Sequence, residues 1–193
     1  MKIALIVGGI LLIVVLGLGG SAVGTRNTLV VEREQIKQAW AQVDVVLQRR
    51  ADLIPNLVAT VKGFAGQELT VMKSITDARA ALIGARSPQE KIQANGQLDS
   101  ALGRLLVLSE NYPQLRSNEN FLRLQDDLAG SENRIAMERR KYNDVVTQYN
   151  KDIQLFPDNI WASLFGMQYE DAYFKTEAGA RAVPKVDFST PSK

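Results

Sequence analysis

RRADLIPNLVATVKG, residues 49–63, interrupts a run whose apolar spacing is otherwise helical, and its reading decides the fold. Arg49 and Arg50 suit the last turn of a helix, where positive charge meets unpaired carbonyls. Asp52 suits an N-cap, and Pro55 suits the first turn after it, where no backbone donor is needed. Asn56 offers a further local hydrogen bond. The stretch therefore predicts a helix-to-helix corner or a sharp kink, in preference to a catalytic site.

Working outward from that corner, every segment has helical rather than strand periodicity. A first helix is expected from about Thr28 to Ala51, with Leu29, Ile36, Trp40, Val43 and Leu47 on its stripe. A second runs from about Asp52 to Leu82, ended by Gly84 and Ser87-Pro88. Ser87, Pro88 and Glu90 form the start signal of a third, as cap, first helical residue and capping-box partner. Asn111-Tyr112-Pro113 stops it. Ser117 opens a fourth that reaches about Leu155. Along it Phe121, Leu128, Ile135, Tyr142, Tyr149 and Phe156 recur every seven residues, the pattern of a bundle or coiled-coil seam. Trp161, Phe165 and Phe174 belong to an aromatic-rich segment that covers one end.

Upstream, Ile3 to Gly24 carries no charge, about 33 Å of helix, which is enough to cross a hydrocarbon core. A retained anchor is preferred over a cleaved signal peptide, for which Met1-Lys2 and Gly20-Ser21-Ala22 are the features. The charges flanking this run do not settle its orientation.

Composition excludes much. The 193 residues hold 23 basic and 21 acidic side chains, a net charge of +2, which does not suggest nucleic-acid binding. Cysteine and histidine are both absent. That removes thiolate nucleophiles, histidine bases, Cys or His zinc sites and histidine-containing di-iron sites. Nucleotide-binding and hydrolase motifs are missing too. No catalytic, cofactor or metal-ligating residue is assigned.

RRADLIPNLVATVKGFA at 49–65 resembles the signature of the LemA family. The likeness continues in ARAAL at 78–82, ALGRLLVLSENYPQL at 101–115 and NFLRLQDDLAGSENRI at 120–135. It extends through RRKYNDVVTQYN at 139–150 and FPDNIWASLFG at 156–166. Gln67, where many members have histidine, and Met167, where an aromatic is usual, depart from the pattern. The resemblance implies a single-pass bacterial membrane protein with a helical bundle and no accepted enzymatic activity. A magnetosome-associated branch of the family makes a membrane-organising role an expectation by analogy.

Several side chains are candidates for more than packing. Asp126, Asp127, Glu132 and Glu138 could bind a hard cation, but five interleaved basic residues favour a solvated, ion-paired face. Arg139, Arg140 and Lys141 are candidates for lipid contact, as are Trp161 and Phe165. Phe121, Leu128, Ile135, Tyr142 and Tyr149 are the candidate seam for a homo-oligomer or a partner. Tyr142-Asn143 and Tyr149-Asn150 repeat one heptad apart, tyrosines facing the core and asparagines facing a partner helix.

The expectation is an all-α chain: an N-terminal transmembrane helix (1–26), an antiparallel four-helix bundle (27–156), a helical cap (157–178) and a flexible tail (179–193). Its function is expected to be that of a non-enzymatic, self-associating scaffold on the bacterial inner membrane, with the bundle extracytoplasmic. The rivals are an adaptor for a membrane protease or signalling partner, and a carboxylate-based cation- or ligand-binding bundle. The expected partners are the lipid bilayer, further copies and a membrane protein, without cofactor or nucleic acid.

Overall fold

The computed structural model describes residues 2–174; the tail at 179–193 and the end of the cap segment lie outside them. Among the described residues the chain is all-α. Its elements are α1 (Lys2–Phe64), α2 (Leu69–Gly84), α3 (Pro88–Ser109), α4 (Pro113–Arg116), α5 (Glu119–Asp152) and α6 (Asp158–Leu164).

The largest difference from expectation lies at the quoted stretch. No corner exists there. α1 runs without interruption through Arg49, Arg50, Asp52, Pro55 and Asn56, and the apolar N-terminal run belongs to the same helix, about 94 Å in all. Asp52 caps nothing; its carboxylate accepts from Gln48 Nε2 at 2.8 Å. The chain turns instead at Ala65–Glu68, where Gly66 suits a tight approach, since a Cβ would meet the Lys62 carbonyl at 3.1 Å.

α5 descends antiparallel beside α1, as the Arg50–Glu132 and Trp40–Tyr142 contacts show, and α6 follows it down to Thr25 through Asp158. α2 folds back along the upper part of α1, and α3 rises again, with Lys91 paired to Asp44 and Arg50 to Asp99. The upper body is thus a four-helix arrangement of α1, α2, α3 and α5, with α3 running parallel to α1. Below the α2–α3 turn α1 and α5 continue down as a pair, joined by α6 and the residues after it.

The α3 start signal is realised in full: Ser87 Oγ accepts from the Glu90 amide and the Glu90 carboxylate accepts from Ser87. α5 is capped by Asn118, whose Oδ1 accepts from the Phe121 amide, not by Ser117. It ends at Asp152, so Phe156, the last member of the heptad, is 80% exposed. The other heptad positions go into the chain's own core. Phe121, Ile135, Tyr142 and Tyr149 are buried and Leu128 is half-buried, so the expected self-association seam is the internal α1–α5 contact.

Between Lys2 and Gly20, every position whose side chain is described is exposed. Ala22, Thr25 and Leu29 are the first to lose exposure. This segment is long and apolar enough to cross a membrane.

Candidate functional site

The heptad of α1 explains what the two arginines do. Leu29, Ile36, Val43 and Leu57 are buried one or two heptads apart, and Arg50 stands in the same register. It is 5% exposed, whereas Arg49 beside it is on the surface. Its guanidinium Nη1 lies 2.5 Å from Asp99 Oδ1 on α3 and 2.9 Å from Glu132 Oε2 on α5, and donates to Asn95 Oδ1 at 3.0 Å. Asn95 in turn donates to Asp99 Oδ2 at 3.0 Å, closing the network. Arg50 Nε has no partner among the described residues.

Pro55 supplies the link to the remaining helix. Having no N–H, it cannot bond to the Ala51 carbonyl one turn earlier. That carbonyl accepts from Arg79 Nε of α2 at 2.8 Å instead. The sequence pattern thus builds two adjacent polar docks. Arg50 reaches α3 and α5, and the carbonyl freed by Pro55 receives α2. All four helices of the upper body meet here.

Beside this junction α3 and α5 do not close on each other, leaving a cavity of about 360 Å³. Leu57, Leu102, Leu105, Phe121 and Leu128 form most of its wall, and Arg50, Asp126 and Glu132 supply charge. Of the acids expected to lace α5, Glu138 pairs with Lys141 at 2.8 Å and Glu132 turns inward to Arg50. Among the described residues no group of three acidic, histidine or cysteine side chains could hold a metal ion.

Lower down, the asparagines one heptad apart grip a strap of the chain, residues 166–174, rather than a partner helix. Asn150 accepts from the Glu170 amide at 2.9 Å and donates to its carbonyl at 2.6 Å. Asn143 does the same with Phe174, at 3.0 and 2.9 Å. The Tyr149 hydroxyl donates to the Gln168 carbonyl at 2.9 Å. Gly166, at φ +66°, makes the turn from α6 into the strap. Phe174 packs against Trp40 and Tyr142, with the Arg139 guanidinium 4.6 Å above its ring. Burial pushes the Tyr142 and Tyr149 phenols above their ordinary values.

The other surface candidates are dispersed. Arg139, Arg140 and Lys141 lie just before Tyr142, which packs on Trp40 at a level about 22 Å of helix above Thr25. Trp161 and Phe165 are half-buried. Near the end of α5, Glu32 meets Asp152 and Asp158. Its carboxyl is pushed up to about 7, first by burial, then by Asp152 and further by Asp158.

Comparison with known proteins follows the same blocks. The sequence model of the LemA family matches residues 39–188. The chain belongs to the LemA family. Magnetosome protein MamQ 2 of Paramagnetospirillum magneticum is 27% identical over 179 residues, covering 79% of this chain and 66% of the relative. Protein LemA of Metamycoplasma hominis is 26% identical over 172 residues, covering 87% of this chain and 75% of the relative. MamQ of Magnetospirillum gryphiswaldense is 25% identical over 179 residues, covering 79% and 66%. The chain therefore spans just under two thirds of the magnetosome relatives' length.

Within this LemA-family chain, the stretch 49–65 is a packing junction. Sequence reasoning missed the burial of Arg50 although the register of Leu29, Ile36 and Val43 carried it. The role of Arg79 was readable only once Pro55 was placed inside a helix.

Proposed function

We propose that this LemA-family chain is a non-enzymatic, membrane-anchored scaffold that carries a helical body on a continuous post. The observation supporting this reading most directly is the uninterrupted α1, which joins the apolar run to the body without a linker. A post of this kind transmits the direction of the span to the body, and so fixes where a bound partner stands relative to the bilayer. The magnetosome names of two relatives favour membrane organisation as its setting. Placement in the bacterial inner membrane with the body outside the cytoplasm belongs to the same proposal, and protease accessibility in intact cells and spheroplasts tests it.

Self-association is retained without the α5 heptad, which the chain uses internally. An adaptor role for a membrane protease or signalling protein remains the nearest rival, and crosslinking with mass spectrometry separates the two. The post itself is tested by spin labels at Leu16→Cys and Gln38→Cys in nanodiscs. One rigid helix gives a narrow distance distribution centred at about 33 Å. A broad distribution would show a hinge and remove the main support for the scaffold. A ligand-binding reading rests on the α3–α5 cavity. A thermal shift with a small molecule that Asp126→Ala abolishes would favour it over the scaffold.

A further inference from the structure

The lowest turn of the body carries an apolar stripe that no described residue covers. α5 ends at Asp152, and after α6 the strap climbs back beside Asn150 and Asn143, so α6 lies at the turnaround. Ile160 and Leu164, one turn apart on α6, are 53% and 71% exposed, and Phe156, in the turn just before α6, is 80% exposed. Ala162, pointing the opposite way on α6, is 2% exposed. The inward face of this short helix is thus a small residue, and its outward face is large and apolar. Such an outward face is unfavourable in water unless something covers it.

Its height identifies the cover. Thr25 Oγ1 donates to Asp158 Oδ1 at 2.6 Å, tying the first turn of α6 to the end of the uncharged run. Ala22, inside that run, is the lowest α1 position described as less than fully exposed. When Ile3 to Gly24 crosses the hydrocarbon, Thr25 stands at the headgroup level, and α6 stands beside it. Two charges stand at this level: Asp158, held by Thr25, and Arg26, exposed on α1 and suited to phosphate.

The geometry points to a second membrane attachment: Phe156, Ile160 and Leu164 insert into the interfacial layer of the bilayer, beside the anchor that carries the body. The partner is a lipid surface, and the stripe continues the apolar surface of the span. This rests on the anchored reading above. It replaces Trp161 and Phe165 as the lipid-contacting residues, because those two are half-buried. A single span leaves a protein free to tilt and rotate. A span with a lateral shoulder does not, so the azimuth of the body is fixed as well as its height.

The absence of native cysteine makes the test direct. Single variants Phe156→Cys, Ile160→Cys and Leu164→Cys of the full chain are spin-labelled in phosphatidylethanolamine–phosphatidylglycerol nanodiscs. Their collision rates with oxygen and with a water-soluble nickel chelate are compared with those of Leu12→Cys and Asp127→Cys. The expected result is oxygen preference at all three sites, between the two references and nearer Leu12→Cys. Nickel preference equal to that of Asp127→Cys, with Leu12→Cys still in lipid, overturns the shoulder and leaves the anchor standing. Nickel preference at Leu12→Cys overturns the anchor and the shoulder together. Protection from both reagents at the three sites marks a protein contact and also overturns the shoulder.

Discussion

The pairing of Pro55 with Arg79 is a coupling that a double-mutant cycle measures. In the native chain the Ala51 carbonyl has lost its usual helical donor and depends on Arg79. Arg79→Met keeps the apolar stem and removes the donor, leaving a carbonyl of the buried Ala51 unpaired. With a charged donor lost, the cost is about 1.5–3 kcal/mol. Pro55 is exposed, so Pro55→Ala opens no cavity. The alanine N–H can then reach the Ala51 carbonyl, and in that background Arg79→Met costs below about 1 kcal/mol, since only packing is disturbed. The coupling between the two positions is therefore about 1–2 kcal/mol. Urea unfolding of the full chain and the three variants in mild detergent, followed by far-ultraviolet circular dichroism, gives the four stabilities. Additivity within about 0.5 kcal/mol would refute the idea that proline creates a vacancy that arginine fills.

Other perturbations follow from the same geometry. Removing both Asp99 and Glu132 by Asn and Gln substitution leaves Arg50 buried without a counter-ion and costs about 3–5 kcal/mol in urea unfolding. Either substitution alone costs less, because the other acid remains 2.5 or 2.9 Å away. Glu32 is raised from 4.5 to about 7, so the folded state holds its proton more tightly than the unfolded chain. The resulting stability is present below pH 4.5 and is lost as pH rises through about 7. Glu32→Gln should flatten that part of a thermal-melt pH profile. Asn150→Ala removes both bonds to the Glu170 backbone, and limited proteolysis should then cut within 166–174 while helicity is retained.

Much of this was legible from spacing alone. The all-α character, the capping box at Ser87 and the apolar run were readable because each rests on interactions within a few residues. What failed was the assumption that unusual residues mark an ending. Arg50, Asp52 and Pro55 each fit a helix terminus locally, yet the helix continues: Gln48 satisfies Asp52 one turn away, and distant residues answer Arg50 and the carbonyl that Pro55 leaves free. Arg79 is 28 positions from the Ala51 carbonyl it meets, and Asp99 and Glu132 are farther still from Arg50, beyond any local rule. The α5 heptad is buried at Phe121, Ile135, Tyr142 and Tyr149, against α1 of the same chain, but not at Phe156, which lies beyond the end of α5. The lipid candidates rest on basic charge at Arg139, Arg140 and Lys141 and on aromatic character at Trp161 and Phe165, whereas the exposed stripe uses Ile160 and Leu164, whose side chains signal nothing until their direction is known.

The two asparagine grips have a consequence for how this part of the chain can change over time. Asn143 and Asn150 hold main-chain atoms, so neither grip reads a side chain, although the Phe174 ring is fixed separately by its packing on Trp40 and Tyr142. Substitutions at Glu170 leave its grip intact and lose only the bond its carboxylate accepts from the Ala172 amide, whereas proline at either gripped position has no hydrogen to offer. A lineage could rewrite the outer surface of this ribbon while its path across α5 stays constant.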